Sequence, residues 1–151
     1  MYPFEYVKAE SLEHAVDLLA ANPDARPLSG GMTLIPTLKA RIAQPTHLVD
    51  IGGLAELRGI EHRGDTLAVG AATRHAEVAA SEVVRKALPA LAWLAEHIGD
   101  PQVRNLGTMG GSIANNDPAA DYPAAVLALN ATIVTNTREI AADDFFQGMF
   151  A

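Results

Sequence analysis

The sequence contains no cysteine, which excludes disulfides, thiolate metal sites, iron–sulfur ligation by this chain and a cysteine nucleophile. It has no apolar run approaching about eighteen residues, so nothing in it reads as a bilayer span. A basic cluster is missing too. With 11 Lys+Arg against 18 Asp+Glu and a formal net charge of −7, nucleic acid is excluded as a partner, because binding a phosphate backbone needs a basic face. The start, Met1-Tyr2-Pro3-Phe4-Glu5, lacks a basic region followed by an apolar stretch, which predicts no signal peptide and a cytoplasmic address. No pair among His14, His47, His62, His75 and His97 has the i, i+4 spacing around a Glu that marks a zinc helix. All five are expected to be ordinary surface or boundary residues, and no metal site is expected.

The remaining composition is that of a globular α/β protein: 151 residues, 49% hydrophobic, 19% charged and only 5% aromatic. That length suits one domain, or two small lobes sharing one site. Helical spacing of Leu12, Ala15, Val16, Leu18 and Leu19 predicts a helix from Ser11 to Ala21, with Ser11 as N-cap and Asn22-Pro23 as the stop. Short strands at 5–7 and 26–28 complete a βαβ unit. A further helix is expected over 32–42, a third strand over 46–51, and a hairpin over 59–62 and 66–69. The alanine- and leucine-rich stretch 73–99 reads as helix broken at Ser81 and Pro89. The polar stretch between Asp100 and Pro123 reads as a long loop, which is uncommon unless it is functional. Helix 119–129 and a second hairpin follow. One lobe is expected over 1–53 and another over 57–151.

Two glycine-rich turns carry the chemistry: Ser29-Gly30-Gly31-Met32-Thr33, where a strand meets a helix, and Gly107-Thr108-Met109-Gly110-Gly111-Ser112. Glycine pairs beside small hydroxyl residues let a backbone approach a diphosphate and present N–H groups to it, and a helix start adds its dipole. Taken singly, either turn reads more simply as a tight connection whose glycines supply positive φ; the two together, each with its hydroxyls, favour the diphosphate reading. Neither matches a Walker loop or the GxGxxG fingerprint, so ATP hydrolysis and simple NAD binding lose support. Asp121 lies about ten residues beyond the second turn, placed either to accept from a ribose hydroxyl pair or to complement a helix dipole.

Three strings together, Ser29-Gly30-Gly31-Met32-Thr33-Leu34-Ile35-Pro36, Asp100-Pro101-Gln102-Val103-Arg104-Asn105-Leu106-Gly107-Thr108-Met109-Gly110-Gly111-Ser112 and Asp143-Asp144-Phe145-Phe146-Gln147-Gly148-Met149-Phe150, resemble the FAD-binding medium subunit of the molybdenum hydroxylases. This is the family of carbon monoxide dehydrogenase medium subunits and xanthine dehydrogenase flavin domains, and the match runs the length of the chain. The resemblance implies a two-lobed, PCMH-type α+β fold: an α/β N-terminal lobe, then a mixed or antiparallel sheet flanked by helices. It also implies non-covalent FAD between the lobes. Leu28, Ser29, Gly30, Gly31, Met32, Thr33, Leu34 and Ile35 would wrap the diphosphate and ribityl end. Thr108, Met109, Gly110, Gly111 and Ser112 would face them with N–H and hydroxyl donors, Asp121 would hold the adenosine ribose, and Ile98 would pack on the flavin.

In that family the flavin subunit does not touch the organic substrate, so no catalytic residue is assigned. Electrons leave the substrate at a molybdenum cofactor on a large subunit. They pass through [2Fe-2S] clusters on a small subunit to FAD, and then to NAD, oxygen, a quinone or another acceptor. The absence of cysteine here agrees with that division. Ser29 and Met32 replace the outer residues of the family's usual Ala-Gly-Gly-His, a change that spares backbone donation. The family's C-terminal domain is expected to be absent, which implies weaker flavin retention. A non-redox assembly module that keeps the fold without a functional flavin is the alternative reading.

Overall fold

The computed structural model describes residues 1–150. Its first part holds strands β1 (Glu5–Lys8), β2 (Arg26–Leu28) and β3 (His47–Asp50), with helices α1 (Leu12–Ala21) and α2 (Leu34–Lys39) between them. The strands are parallel, in the order β1-β3-β2. The expected βαβ unit is therefore opened by β3, which slots between its two strands. Leu48 and Val49 explain why: neighbours in a strand face opposite sides of the sheet, and both are 1% exposed. A strand buried on both faces belongs in the centre. Pro27 has no N–H to give a second neighbour, which confines β2 to an edge.

Ser11 caps α1 by accepting the His14 N–H at 3.0 Å. The helix lays Ala15, Leu18 and Leu19 on Ala9, Ala25, Val49 and Leu54. Helix α2 is shorter than expected, because Gly31 at φ +72 delays its start and Arg41 at φ +58 ends it.

Beyond a single 3-10 turn at Ala55–Leu57, β4 (Ile60–Arg63) and β5 (Thr66–Val69) form an antiparallel hairpin. Helices α3 (His75–Ala80), α4 (Glu82–Ala87) and α5 (Pro89–His97) follow, broken where the sequence reading places the breaks. Ser81 accepts the Val84 N–H to cap α4, and Pro89 opens α5.

The stretch expected to be a long loop is instead largely two short helices, α6 (Pro101–Leu106) and α7 (Met109–Asn115). Asp100 caps the first, accepting the Val103 N–H at 2.9 Å. Thr108 caps the second through the Gly111 N–H. Helices this short leave too little periodicity to read, and Gly110 and Gly111 lower the apparent propensity further. The chain then runs through α8 (Asp121–Ala128), the hairpin of β6 (Thr132–Val134) and β7 (Glu139–Ala141), and α9 (Ala142–Phe145).

The second core gathers Val78, Val84, Leu91, Ala95, Met109, Ile113, Tyr122 and Val126. Of the aromatics near the end, Phe145 and Phe146 meet edge to face at 5.2 Å and pack on this core, while Phe150 is exposed. Among the described residues, no helix is long and apolar enough to cross a membrane.

Candidate functional site

The carboxyl ends of β1, β2 and β3 come level, since Lys8 and Leu28 both pair with Asp50. In open parallel sheets, ligands bind beyond these ends. Ser29-Gly30 leaves β2 there, and Gly52-Gly53 leaves β3. The second glycine motif arrives from the other core, and the Thr108 hydroxyl donates to Ser29 Oγ at 3.2 Å. A Cβ on Gly30 would lie 2.0 Å from the Leu106 carbonyl oxygen and 3.0 Å from Gly107 Cα. The two motifs, separated by 79 positions at their hydroxyl contact, are thus pressed together, backbone against backbone.

The two motifs offer different donors. Among the described residues, the amides of Ser29, Gly30, Gly31, Met32 and Thr33 meet no protein acceptor. They form a run of free N–H groups bent by the left-handed Gly31, the geometry of an anion-binding nest. In the second motif all the amides but that of Thr108 are committed internally. Met109 donates to the Thr73 carbonyl, Gly110 to that of Ala71, and Ser112 to that of Thr108, while Gly111 donates to Thr108 Oγ1. Of the N–H donors expected from this wall, that of Thr108 remains, together with the hydroxyls. Gly110 is there for packing, since a Cβ would sit 2.5 Å from the Ala71 Cβ. Helix α2, only six residues long, adds little dipole.

A cleft of about 270 Å³ opens at this junction, lined by Lys8, Ser29, Gly30, Asp50, Gly52, Gly53, Arg58, Ala72, Arg74, Leu106 and Thr108. Three cations unmarked by the sequence pattern are gathered in it. Arg58 is fixed by donating to the Gly52 carbonyl at 2.5 Å. Arg74 is held by a backbone bridge to Thr108. Asp50, the acidic residue of the lining, has its oxygens engaged by the Tyr6 hydroxyl and, at 2.9 Å, the Gly52 N–H. That hydrogen bond, more than burial, raises the Tyr6 phenol above its ordinary pKa.

Behind Thr108 lies a buried pair that the sequence reading missed. His75, expected at the surface or its boundary, is 5% exposed and Tyr122 is fully buried. Their rings lie 5.2 Å apart. The His75 N–H donates to the Gly107 carbonyl at 3.0 Å, and its ring is so close to Gly107 that a Cβ there would meet Nε2 at 2.5 Å. Burial pushes His75 down to about 4 and raises the Tyr122 phenol. A lone histidine in an alanine-rich helical stretch carries no sequence signal of burial.

Of the other expected site residues, Leu28 ends β2 and touches the space beside Gly31. Leu34 and Ile35 open α2, the Ile35 N–H donating to the Gly31 carbonyl. Ile98 follows α5, half-buried against the second core, and does not line the cleft. Asp121 is exposed in the first turn of α8, and α7 packs against α8. Among the described residues no cluster of His, Asp and Glu could hold a metal.

The family described as the FAD binding domain in molybdopterin dehydrogenase matches residues 2–151. The chain is 43% identical to the glyceraldehyde dehydrogenase medium chain of Sulfolobus acidocaldarius, covering 99% of this chain and 56% of that one. It is 44% identical to the carbon monoxide dehydrogenase medium chain of Hydrogenophaga pseudoflava, covering 97% and 53%. The solved structure of carbon monoxide dehydrogenase from Hydrogenophaga pseudoflava superposes with a TM-score of 0.95 at 44% identity, covering all of this chain and 55% of that one. The chain therefore spans about half the length of the relatives it matches. Matched over nearly its whole length and superposing closely on a solved relative, the chain belongs to the family of FAD-binding domains of molybdopterin dehydrogenases.

Proposed function

We propose that this chain is the FAD-binding part of the medium subunit of a molybdenum hydroxylase complex. The carrying observation is the meeting of the free amides of residues 29–33 with Thr108 beyond the carboxyl ends of a parallel sheet. These residues fit the cofactor's anionic centre: unaccepted N–H groups and unpaired cations on one wall are what a diphosphate requires. Leu28 to Ile35 would enclose the diphosphate and ribityl chain. The hydroxyls of Thr108 and Ser112 would face it, with Met109, Gly110 and Gly111 letting that backbone come close. Asp121 would hold the adenosine ribose and Ile98 would border the ring, with residues 1–53 and 57–151 as the two lobes.

When bound, the isoalloxazine supplies electron transfer from [2Fe-2S] clusters to an acceptor such as NAD, oxygen or a quinone. The clusters and the molybdenum cofactor would sit on small and large partner subunits, and the assembly would work in the cytoplasm. This chain's part is to bind, orient and shield the cofactor. Reconstitution with FAD and gel filtration test the reading. Retained absorbance at about 450 nm, bleached by dithionite, is the expected result. Co-expression with a large and a small subunit should yield one complex. A complex that forms without flavin favours the assembly module instead.

A further inference from the structure

We propose that Lys8, Arg58 and Arg74 form a cationic wall that recognises the phosphate charge of a diphosphate ester in the cleft beside Ser29 and Gly30. The proposal rests on the FAD reading for the identity of that ester, and extends it from backbone donation to charged side chains. In an acidic chain, with a formal net charge of −7, three cations line one small cleft. The ion pairs among the described residues are His47–Glu5, Arg63–Glu61 and Arg85–Glu82, none of which involves these three. Asp50 lines the same cleft but pairs with none of them, its oxygens being engaged by Tyr6 and Gly52, so its one negative charge against three positive ones leaves the lining net positive. Like charges brought together in excess of the nearby carboxylate repel one another and are stabilised by an anion between them.

Their placement is held by the fold. Lys8 ends β1 level with Asp50, and its stem crosses Gly53, where a Cβ would lie 3.3 Å from Lys8 Cε. Arg58 is anchored through Gly52 and Arg74 through the bridge to Thr108. The cleft, about 270 Å³, is below the ~300–1,000 Å³ of a site for a drug-sized molecule, so it suits the anionic middle of a nucleotide better than a ring system. Guanidinium groups bind phosphate oxygens in pairs where a single ammonium acts as a point charge. The wall is therefore expected to discriminate by phosphate content.

Arg58→Gln, Arg74→Gln and the double variant test this, with melting temperature and circular dichroism confirming an unchanged fold. Titrations with FAD, FMN, riboflavin and inorganic diphosphate, each at two salt concentrations, give the readout. Each substitution should weaken FAD by about tenfold, weaken FMN, leave riboflavin unchanged and reduce the salt dependence. Loss confined to inorganic diphosphate, with FAD unaffected, assigns the wall to a separately bound phosphorylated molecule. If the wild-type chain takes no FAD while its diphosphate binding still depends on both arginines, the flavin reading fails and the cationic wall stands. Unchanged affinity for both FAD and inorganic diphosphate in the folded double variant overturns the proposal.

Discussion

The rings of His75 and Tyr122 meet at a 45° tilt, 5.2 Å apart, beneath the second glycine motif, and neither the His75 Nδ1 nor the Tyr122 hydroxyl finds a hydrogen-bond partner. An aromatic contact at that distance is favourable, but the unpaired polar atoms cost free energy unless water or another group reaches them. The pair joins α3, Gly107 and α8, so one buried contact links the segment carrying Thr108 to the helix carrying Asp121.

This burial predicts an acid sensitivity. In the folded chain His75 titrates at about 4, below its ordinary 6.5, so between those values the unfolded chain binds more protons. Stability is fully present above pH 6.5 and is lost as pH falls toward 4, by at most about 1.4 kcal/mol per pH unit. His75→Phe keeps the aromatic contact and removes the titration. Urea denaturation at pH 7.5 and 5.0 should show a smaller loss in the variant; an equal loss would mean another group is responsible.

Gly30→Ala should separate the two motifs. Its Cβ would fall 2.0 Å from a backbone oxygen, which no side-chain rotation relieves. A destabilisation of about 3 kcal/mol or more should accompany loss of flavin retention. Gly64→Ala is the control: it lies at φ +60 with nothing within 4 Å of a Cβ. The backbone cost there is about 1 kcal/mol, with flavin affinity unaltered. Thermal melts and flavin fluorescence of the two variants provide the comparison.

Local signals were legible in the sequence and long-range ones were not. Ser11, Ser81 and Pro89 mark helix boundaries through chemistry contained in a few neighbouring residues, and the structure keeps all three. The strand order depended on both faces of Leu48 and Val49 being covered, which no local pattern states. The same limit hid the site's side chains. Lys8, Arg58 and Arg74 are scattered along the chain and become neighbours only through register and the Thr108 bridge. Gly110 looked like a phosphate turn because glycine serves close approach to a ligand and to Ala71 equally well.

Thr108 and Ser29 should be energetically linked. The Thr108 oxygen accepts the Gly111 N–H and its hydroxyl donates to Ser29, so Thr108→Val removes a helix cap as well as the link between motifs. The cap accounts for about 1 kcal/mol. A double-mutant cycle with Ser29→Ala isolates the remainder, and an interaction energy of about 0.5–1 kcal/mol is expected. Denaturant midpoints of the four proteins measure it, and strict additivity would show that the hydroxyl contact contributes nothing.

Asp121 distinguishes cofactor binding from helix electrostatics. It is exposed in the first turn of α8, where a carboxylate contributes only about 0.3–1 kcal/mol through the dipole. Asp121→Asn should therefore fold almost normally. If it is the partner proposed for the adenosine ribose, the carboxylate would touch a part of FAD that FMN lacks, and a charged hydrogen bond lost there corresponds to about tenfold weaker binding. Fluorescence titration should show FAD weakened by that factor while FMN is unchanged. Equal affinities for FAD in the two proteins would leave Asp121 as a helix-start charge alone, and a matching loss for FMN would place its effect at the diphosphate end instead.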